Sequence, residues 1–296
     1  MGSHTGEFAA LFTAFLWTAT ALAFEQAAKR VGPLAVNLVR LTLALLLYTA
    51  FLWIRDGAPI ASGIGSHGWI WLSVSGLIGF VFGDYCLLKA YTLIGSRVTN
   101  LLMALAPPLA AFMGFLVIDE RLGAISALGM MITLAGIVVV ILRKPGKKLM
   151  LHYSRQGVLY GIGGATGQAV GLVFSKLGMG EADPFAASQV RVIAGIAGYL
   201  ILFTILNRWK KLVPAFSNAG NFSFIAIGSF FGPFLGVSFS LMAIKFTTTG
   251  IASTIMAIVP VLIIAPSIWI FKERISWRDL LGAIIAVGGV AIFFLS

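Results

Sequence analysis

A charged side chain held inside a long apolar segment is costly, so the few present here are the first places to look for chemistry. Of ten acidic residues in 296, only Glu25 and Asp84 fall within apolar stretches. A carboxylate so placed takes up and releases a proton as its contact with water changes, which is the chemistry that proton coupling requires. Glu25 also has Lys29 four residues on, the spacing of a simple helix-end ion pair. Asp84 has no basic residue three or four positions away. Two arginines, Arg40 and Arg191, lie about seven residues into their apolar segments, roughly 10 Å along a helix. A guanidinium at that depth can grip a small molecule's carboxylate with two parallel hydrogen bonds. It can equally brace the helix through backbone carbonyls or reach out to the interface.

Neutral groups complete the set of candidates. Trp17 offers a stacking face and one N–H donor, and Gln168, in the glycine-rich run 163–168, offers an amide that needs partners in apolar surroundings. Asn37 and Gln189 are weaker polar candidates in the same segments as the arginines. Tyr85, Phe80, Phe231, Phe234 and Phe239 could add an aromatic lining. Pro107-Pro108, Pro260 and Pro266 interrupt apolar segments, where proline frees backbone carbonyls and bends a helix into a hinge or gate. Gly129, Gly136, Gly282, Gly288 and Gly289 instead permit close helix contact.

Other chemistries lack their parts. His4, His67 and His152 are too scattered for a metal site, so no metal is expected. There is no Walker A run to cradle a nucleotide, and no cofactor is expected. An intramembrane enzyme or lipid-handling protein, the main alternative, would need converging nucleophiles or paired carboxylates, which the sequence does not offer. The single cysteine, Cys86, allows no intrachain disulfide.

The elements that must position these residues are membrane helices. The chain is 59% hydrophobic and 10% charged, with a mean hydropathy of +0.99. Soluble domains carry about a quarter charged residues, so this chain belongs in lipid. With roughly 20 residues per span, apolar windows place ten helices. They fall near 7–28, 33–54, 68–88, 97–118, 122–142, 156–177, 184–206, 221–242, 250–271 and 276–295. The first begins with no basic segment or cleavage site before it, so no cleaved signal peptide is expected. The net charge of +11 sits in short loops, which excludes nucleic acid as the partner and leaves membrane lipid and a small molecule.

Residues 83–142 align on 236–295 without a gap. Gly83 falls on Gly236, Met103-Ala104 on Met256-Ala257, Pro107 on Pro260, Glu120-Arg121 on Glu273-Arg274 and Gly136 on Gly289. Earlier residues align at an offset of 151: Gly6 on Gly157, Pro33 on Pro184 and Val39-Arg40 on Val190-Arg191. The chain therefore divides into five-span repeats, 1–145 and 146–296. Trp17 then matches Gln168 and Asp84 matches Val237, so the polar candidates break the symmetry. Repeats of membrane spans mark carriers, with the site between the halves near mid-membrane. The mismatched pairs argue against a channel, whose pore lining would be symmetric.

Five is odd, so successive repeats lie in opposite orientations. Most bases, among them Lys29, Arg30, Lys89, Arg97, Arg143, Lys144, Arg155, Arg208 and Lys272, flank odd-numbered loops. Even-numbered loops hold Arg55, Arg121, Lys176 and Lys245. The positive-inside rule then predicts that loop 143–155 is cytoplasmic and both termini are outside.

Several motifs resemble the EamA-type branch of the drug/metabolite transporter superfamily. They are Phe15-Leu16-Trp17-Thr18, Val39-Arg40-Leu41, Ala104-Leu105-Ala106-Pro107 with Asp119-Glu120-Arg121-Leu122, and their second copy Ala257-Ile258-Val259-Pro260 with Lys272-Glu273-Arg274-Ile275. The resemblance implies an all-α, ten-helix, inverted-repeat carrier with a central cavity. It further implies a place in the cytoplasmic membrane and export of small metabolites, amino acids among them, by alternating access. Relatives carry basic termini held in the cytoplasm, whereas neither tail here has a Lys or Arg. Two complete repeats let one chain form a whole carrier, and a homodimer is compatible with this.

Overall fold

The computed structural model describes residues 4–141, 154–262 and 277–293. Within these, the side chains of 96–98, 101, 140–141, 260, 278–279 and 293 are not described. The described chain is helical, with no strand among the described residues. The first half runs α1 (Thr5–Val31), α2 (Pro33–Asp56), α3 (Ser66–Gly76), a π-helical segment (Leu77–Asp84), α4 (Tyr85–Met103), α5 (Ala106–Ile118) and α6 (Ala124–Ile141). The second runs α7 (Arg155–Met179), α8 (Pro184–Ile205), a short turn and α9 (Val213–Phe216), α10 (Ala219–Ser229), a second π segment (Phe230–Gly236), α11 (Val237–Phe246), α12 (Thr249–Met256), α13 (Val259–Leu262) and α14 (Trp277–Phe293).

Six stretches are long and apolar enough to cross a membrane: Thr5–Val31, Pro33–Asp56, Ser66–Gly95, Arg155–Met179, Pro184–Ile205 and Ala219–Phe246. Shorter apolar helices cover Ala106–Ile118, Ala124–Val139 and Leu280–Ile292. Large apolar side chains such as Phe8, Leu46, Ile54, Phe115 and Ile205 point outward, as they do toward lipid tails.

Helix boundaries follow local chemistry. Gly32 separates α1 from α2 at φ 94°, a conformation costly for any residue with a Cβ, and Pro33 then fills a first-turn site that needs no N–H donor. At the equivalent junction the Asp183 carboxylate caps α8, accepting from the N–H groups of Phe185 at 3.0 Å and Ala186 at 3.1 Å. Gly95, at φ 74°, kinks α4.

Two features recur in both halves. Each has a π segment at the same repeat position, Leu77 matching Phe230. Each also has a broken helix: α4 gives way to α5 at Ala104-Leu105, and α12 to α13 at the equivalent Ala257-Ile258. Between the halves, α6 lies along α14. A Cβ on Gly136 would strike the backbone of Ala286, and one on the equivalent Gly289 would strike Thr133, so two glycines set this close approach symmetrically.

Candidate functional site

A cavity of ≈ 140 Å³ lies between the halves, walled by α1, α2, α4, the start of α5, α7, α8, both π segments and α11 to α13. Trp17, Arg40, Asp84, Gln168 and Arg191 all line it. Phe24, Phe80, Met103 and Met256 supply apolar wall, and Tyr91, Asn100, Ser240 and Ser253 add polar groups.

The charged groups are arranged asymmetrically. Arg40 on α2 donates through Nη2 to the Asp84 carboxylate at the end of the first π segment, and its guanidinium lies 5.0 Å over the Phe24 ring. Asp84, unpaired within its own helix, thus finds its partner across the bundle. Arg191 is 6% exposed and sits 4.8 Å over the Phe80 ring. It has no hydrogen-bond or ion-pair partner among the described residues; its buried Nε is unsatisfied, as is that of Arg40. Its position is fixed by backbone packing: Gly76 abuts the Arg191 carbonyl so closely that a Cβ there would displace it.

The two uncharged candidates occupy matching places. The Trp17 indole lies against Gly236, where a Cβ would come within 2.7 Å of Cδ1 and Nε1. Gln168 follows Gly167, which packs on Gly83, the repeat equivalent of Gly236. Neither the indole N–H nor the Gln168 amide is bonded among the described residues, so both are open to a ligand.

The π segments are held by residues that the sequence reading missed. A π turn carries an extra residue and leaves its carbonyls poorly matched to the helix ladder. The fully buried Tyr48 hydroxyl lies 2.6 Å from the Pro233 carbonyl oxygen, 2.8 Å from that of Phe234 and 2.8 Å from Ser238 Oγ. Tyr199, its repeat equivalent, donates to the Phe80 carbonyl at 2.8 Å. The signal was present in the alignment, since both tyrosines stand at offset 151.

Other expected residues lie elsewhere. Gln189 is fully buried away from the cavity and fastens the loop after α2. Its oxygen accepts from Ala61 N at 2.7 Å, while its nitrogen donates to Pro59 O at 2.8 Å and Thr49 Oγ1 at 3.2 Å. Asn37 is buried outside the cavity with neither amide atom bonded among the described residues. Tyr85 turns from the cavity to meet Tyr160 edge-on at 6.1 Å, since adjacent helical residues point about 100° apart and Asp84 takes the inward direction. Glu25 makes the helix-end pair with Lys29, at 2.6 Å. Phe239 packs on Phe12, Phe231 on Phe230 and Phe234 on Tyr48, all outside the lining.

Pro107 lies in the first turn of α5, directly after the Ala104-Leu105 break. Pro260 falls in α13, but its side chain is outside the described residues, as are Pro266, Glu273, Arg274 and residues 142–153 of the predicted cytoplasmic loop. Glu120, one of the family-like motif residues, links the halves. Its carboxylate accepts from Thr249 N at 2.8 Å and Oγ1 at 2.6 Å and pairs with Lys176 Nζ at 2.5 Å.

An apolar helical bundle whose cavity lies between two sequence repeats is the architecture of an integral membrane protein. The chain belongs to the EamA-like transporter family, whose profile matches it twice, over residues 4–142 and 155–295. A probable transport protein of Saccharomyces cerevisiae is 30% identical over 120 residues, 40% of this chain and 33% of that protein. An uncharacterized membrane protein of the same yeast is 27% identical over 210 residues, 69% of this chain and 45% of that one. The chain thus matches less than half the length of either curated relative. A solved crystal structure shares the fold, with a TM-score of 0.77 at 20% identity, covering 99% of this chain and 97% of the other.

Proposed function

We propose that this chain is a secondary carrier with ten spans in two inverted repeats, 1–145 and 146–296, which exports small metabolites by alternating access. The observation that carries this reading is the cavity between the halves, where Arg40, Asp84 and Arg191 are gathered with the open donors of Trp17 and Gln168. Charges at that depth are costly to keep without use. The breaks at Ala104-Leu105 and Ala257-Ile258, with Pro107 and Pro260 just beyond, supply two symmetric hinges for rocking one half against the other. The membrane is the cytoplasmic one, with loop 143–155 inside and both termini outside. One chain is sufficient. Amino acids are the substrate class that the family resemblance implies.

The test is counterflow of radiolabelled metabolites in proteoliposomes. A carrier shows saturable exchange that Trp17→Ala and Gln168→Ala reduce. Asp84→Asn retains exchange and loses accumulation driven by a proton gradient if that carboxylate couples. Uptake that does not saturate, or that these cavity substitutions leave unchanged, sinks the reading.

A further inference from the structure

We infer that the ligand of this cavity is a small organic monoanion with an apolar body, and that its carboxylate bonds to Arg191 in the role that Asp84 plays for Arg40. The inference rests on the carrier reading and, within small metabolites, puts organic monoanions in place of the amino acids that the family resemblance implies. Arg40 and Arg191 are repeat equivalents, and both line the cavity. Arg40 has a carboxylate partner, Asp84. The repeat equivalent of Asp84 is Val237, which lines the same cavity and offers no acceptor. The chain has therefore kept the second guanidinium and omitted the second carboxylate. Arg191 is left 6% exposed with no hydrogen bond or ion pair among the described residues, the Asp84 charge reaching it only from beyond ion-pair distance. A buried guanidinium facing a cavity is completed by an anion that enters it.

The charge balance separates ligand classes. Among the described lining residues the acidic and basic side chains are Arg40, Asp84 and Arg191, and with all three charged the surplus is one positive charge. A monoanion cancels that surplus. A zwitterion brings an ammonium as well, and the one carboxylate among the described lining residues is already bound by Arg40. A cation adds to the surplus. The N–H of Trp17 and the amide of Gln168 add open donors, while Phe24, Phe80, Met103 and Met256 provide a face for an aryl or alkyl body.

The test uses four probes of one shape in phosphatidylcholine vesicles: phenylacetate, phenylalanine, phenethylamine and phenylacetamide. Binding is read by thermal stabilisation and exchange by counterflow. Phenylacetate is expected to bind at least about tenfold more tightly than the other three, the discrimination one charge-assisted contact supplies. Val237→Asp, which supplies the omitted carboxylate from the protein itself, abolishes phenylacetate binding, whereas the similarly sized Val237→Asn keeps it. Arg191→Gln also loses it, and the Val237 pair keeps the comparison open if that variant misfolds. Equal binding of phenylacetate by wild type and Val237→Asp overturns the inference, as does preference for phenylalanine or phenethylamine, or binding of none of the four at millimolar concentration. Loss of phenylacetate binding on adding phosphatidylglycerol also overturns it, in favour of an acidic lipid. Phenylalanine exchange without phenylacetate binding removes the inference and leaves the carrier reading. Phenylacetate binding without exchange does the reverse.

Discussion

Tyr48 and Tyr199, 151 residues apart, form the same bond in opposite directions: each sends its hydroxyl into the π segment of the other half. Tyr48 reaches carbonyls at Pro233 and Phe234, and Tyr199 reaches Phe80, with a longer approach to Val81 at 3.4 Å. The π segments carry cavity-lining residues, including Phe80, Asp84 and Pro233, so these hydroxyls fix the walls. Removing either takes a side-chain donor from the π segment of the other half, at the Pro233 carbonyl for Tyr48 and the Phe80 carbonyl for Tyr199. Tyr48→Phe and Tyr199→Phe should each cost about 1 kcal/mol, within the range for hydrogen bonds between membrane helices. Ser238 Oγ still donates to the Phe234 carbonyl at 2.7 Å when Tyr48 is trimmed, so the two substitutions should cost about the same. Thermal unfolding in detergent measures both, and negligible shifts would show that the carbonyls find other donors.

Arg40 and Asp84 should behave as a unit. Arg40→Gln leaves a buried carboxylate, and Asp84→Asn leaves a buried guanidinium, so each single change strands a charge. In the double variant neither charge remains. The double-mutant cycle should show a coupling of about 1–3 kcal/mol, the double variant being more stable than the sum of the singles predicts. Simple additivity would mean that water already satisfies both groups.

The repeat made much of this site legible. The offsets that align Arg40 with Arg191 and Trp17 with Gln168 depend only on residue identity, and all four face one cavity. Apolar windows also located the long helices, because hydropathy follows length in lipid. Side-chain direction was harder to read. Nothing in Leu77–Asp84 distinguishes a π segment from an α-helix, since both are apolar runs punctuated by glycine. The turn of Tyr85 toward Tyr160 depends on the inward direction of Asp84. The role of Gln189 depends on the path of a loop, residues 57–65, which no local pattern specifies. The Arg40–Asp84 pair spans 44 residues, beyond any helical spacing rule.

Gly236 and Trp17 form a contact that a methyl group would break. A Cβ at Gly236 would lie 2.7 Å from the indole and equally close to the Phe231 carbonyl. Gly236→Ala should destabilise by about 1–3 kcal/mol, as overpacking does, and weaken substrate binding by moving the indole. Trimming the ring should restore part of the loss, so Gly236→Ala with Trp17→Leu should unfold at a higher temperature than Gly236→Ala alone. If the second substitution only lowers stability further, the strain lies in the backbone at Phe231 rather than at the indole.

Glu120 joins three elements from both halves at one point. Its carboxylate accepts from the backbone N–H and hydroxyl of Thr249 at the start of α12, and it pairs with Lys176 of α7. Lys176 in turn donates to the Thr247 carbonyl at 2.7 Å. An anion at a helix start satisfies orphan N–H groups and meets the positive end of the helix dipole. The lysine side chain is 26% exposed, so screening reduces what the ion pair contributes. The hydrogen bonds to Thr249 should therefore dominate. Glu120→Ala, which strands a buried donor, should cost about 2–3 kcal/mol, and Glu120→Gln, which keeps an acceptor and loses the charge, about half as much. Raising salt should narrow the gap between wild type and Glu120→Gln only slightly. If Gln costs as much as Ala and the gap closes with salt, the ion pair is the main tie. Because this contact binds the segment after α5 of one half to α7 and α12 of the other, a half that rocks must break or carry it. Glu120→Ala should then speed substrate exchange at saturating concentration even as it lowers the unfolding temperature, and a slower exchange would mean that Glu120 aligns the moving parts rather than holding them closed.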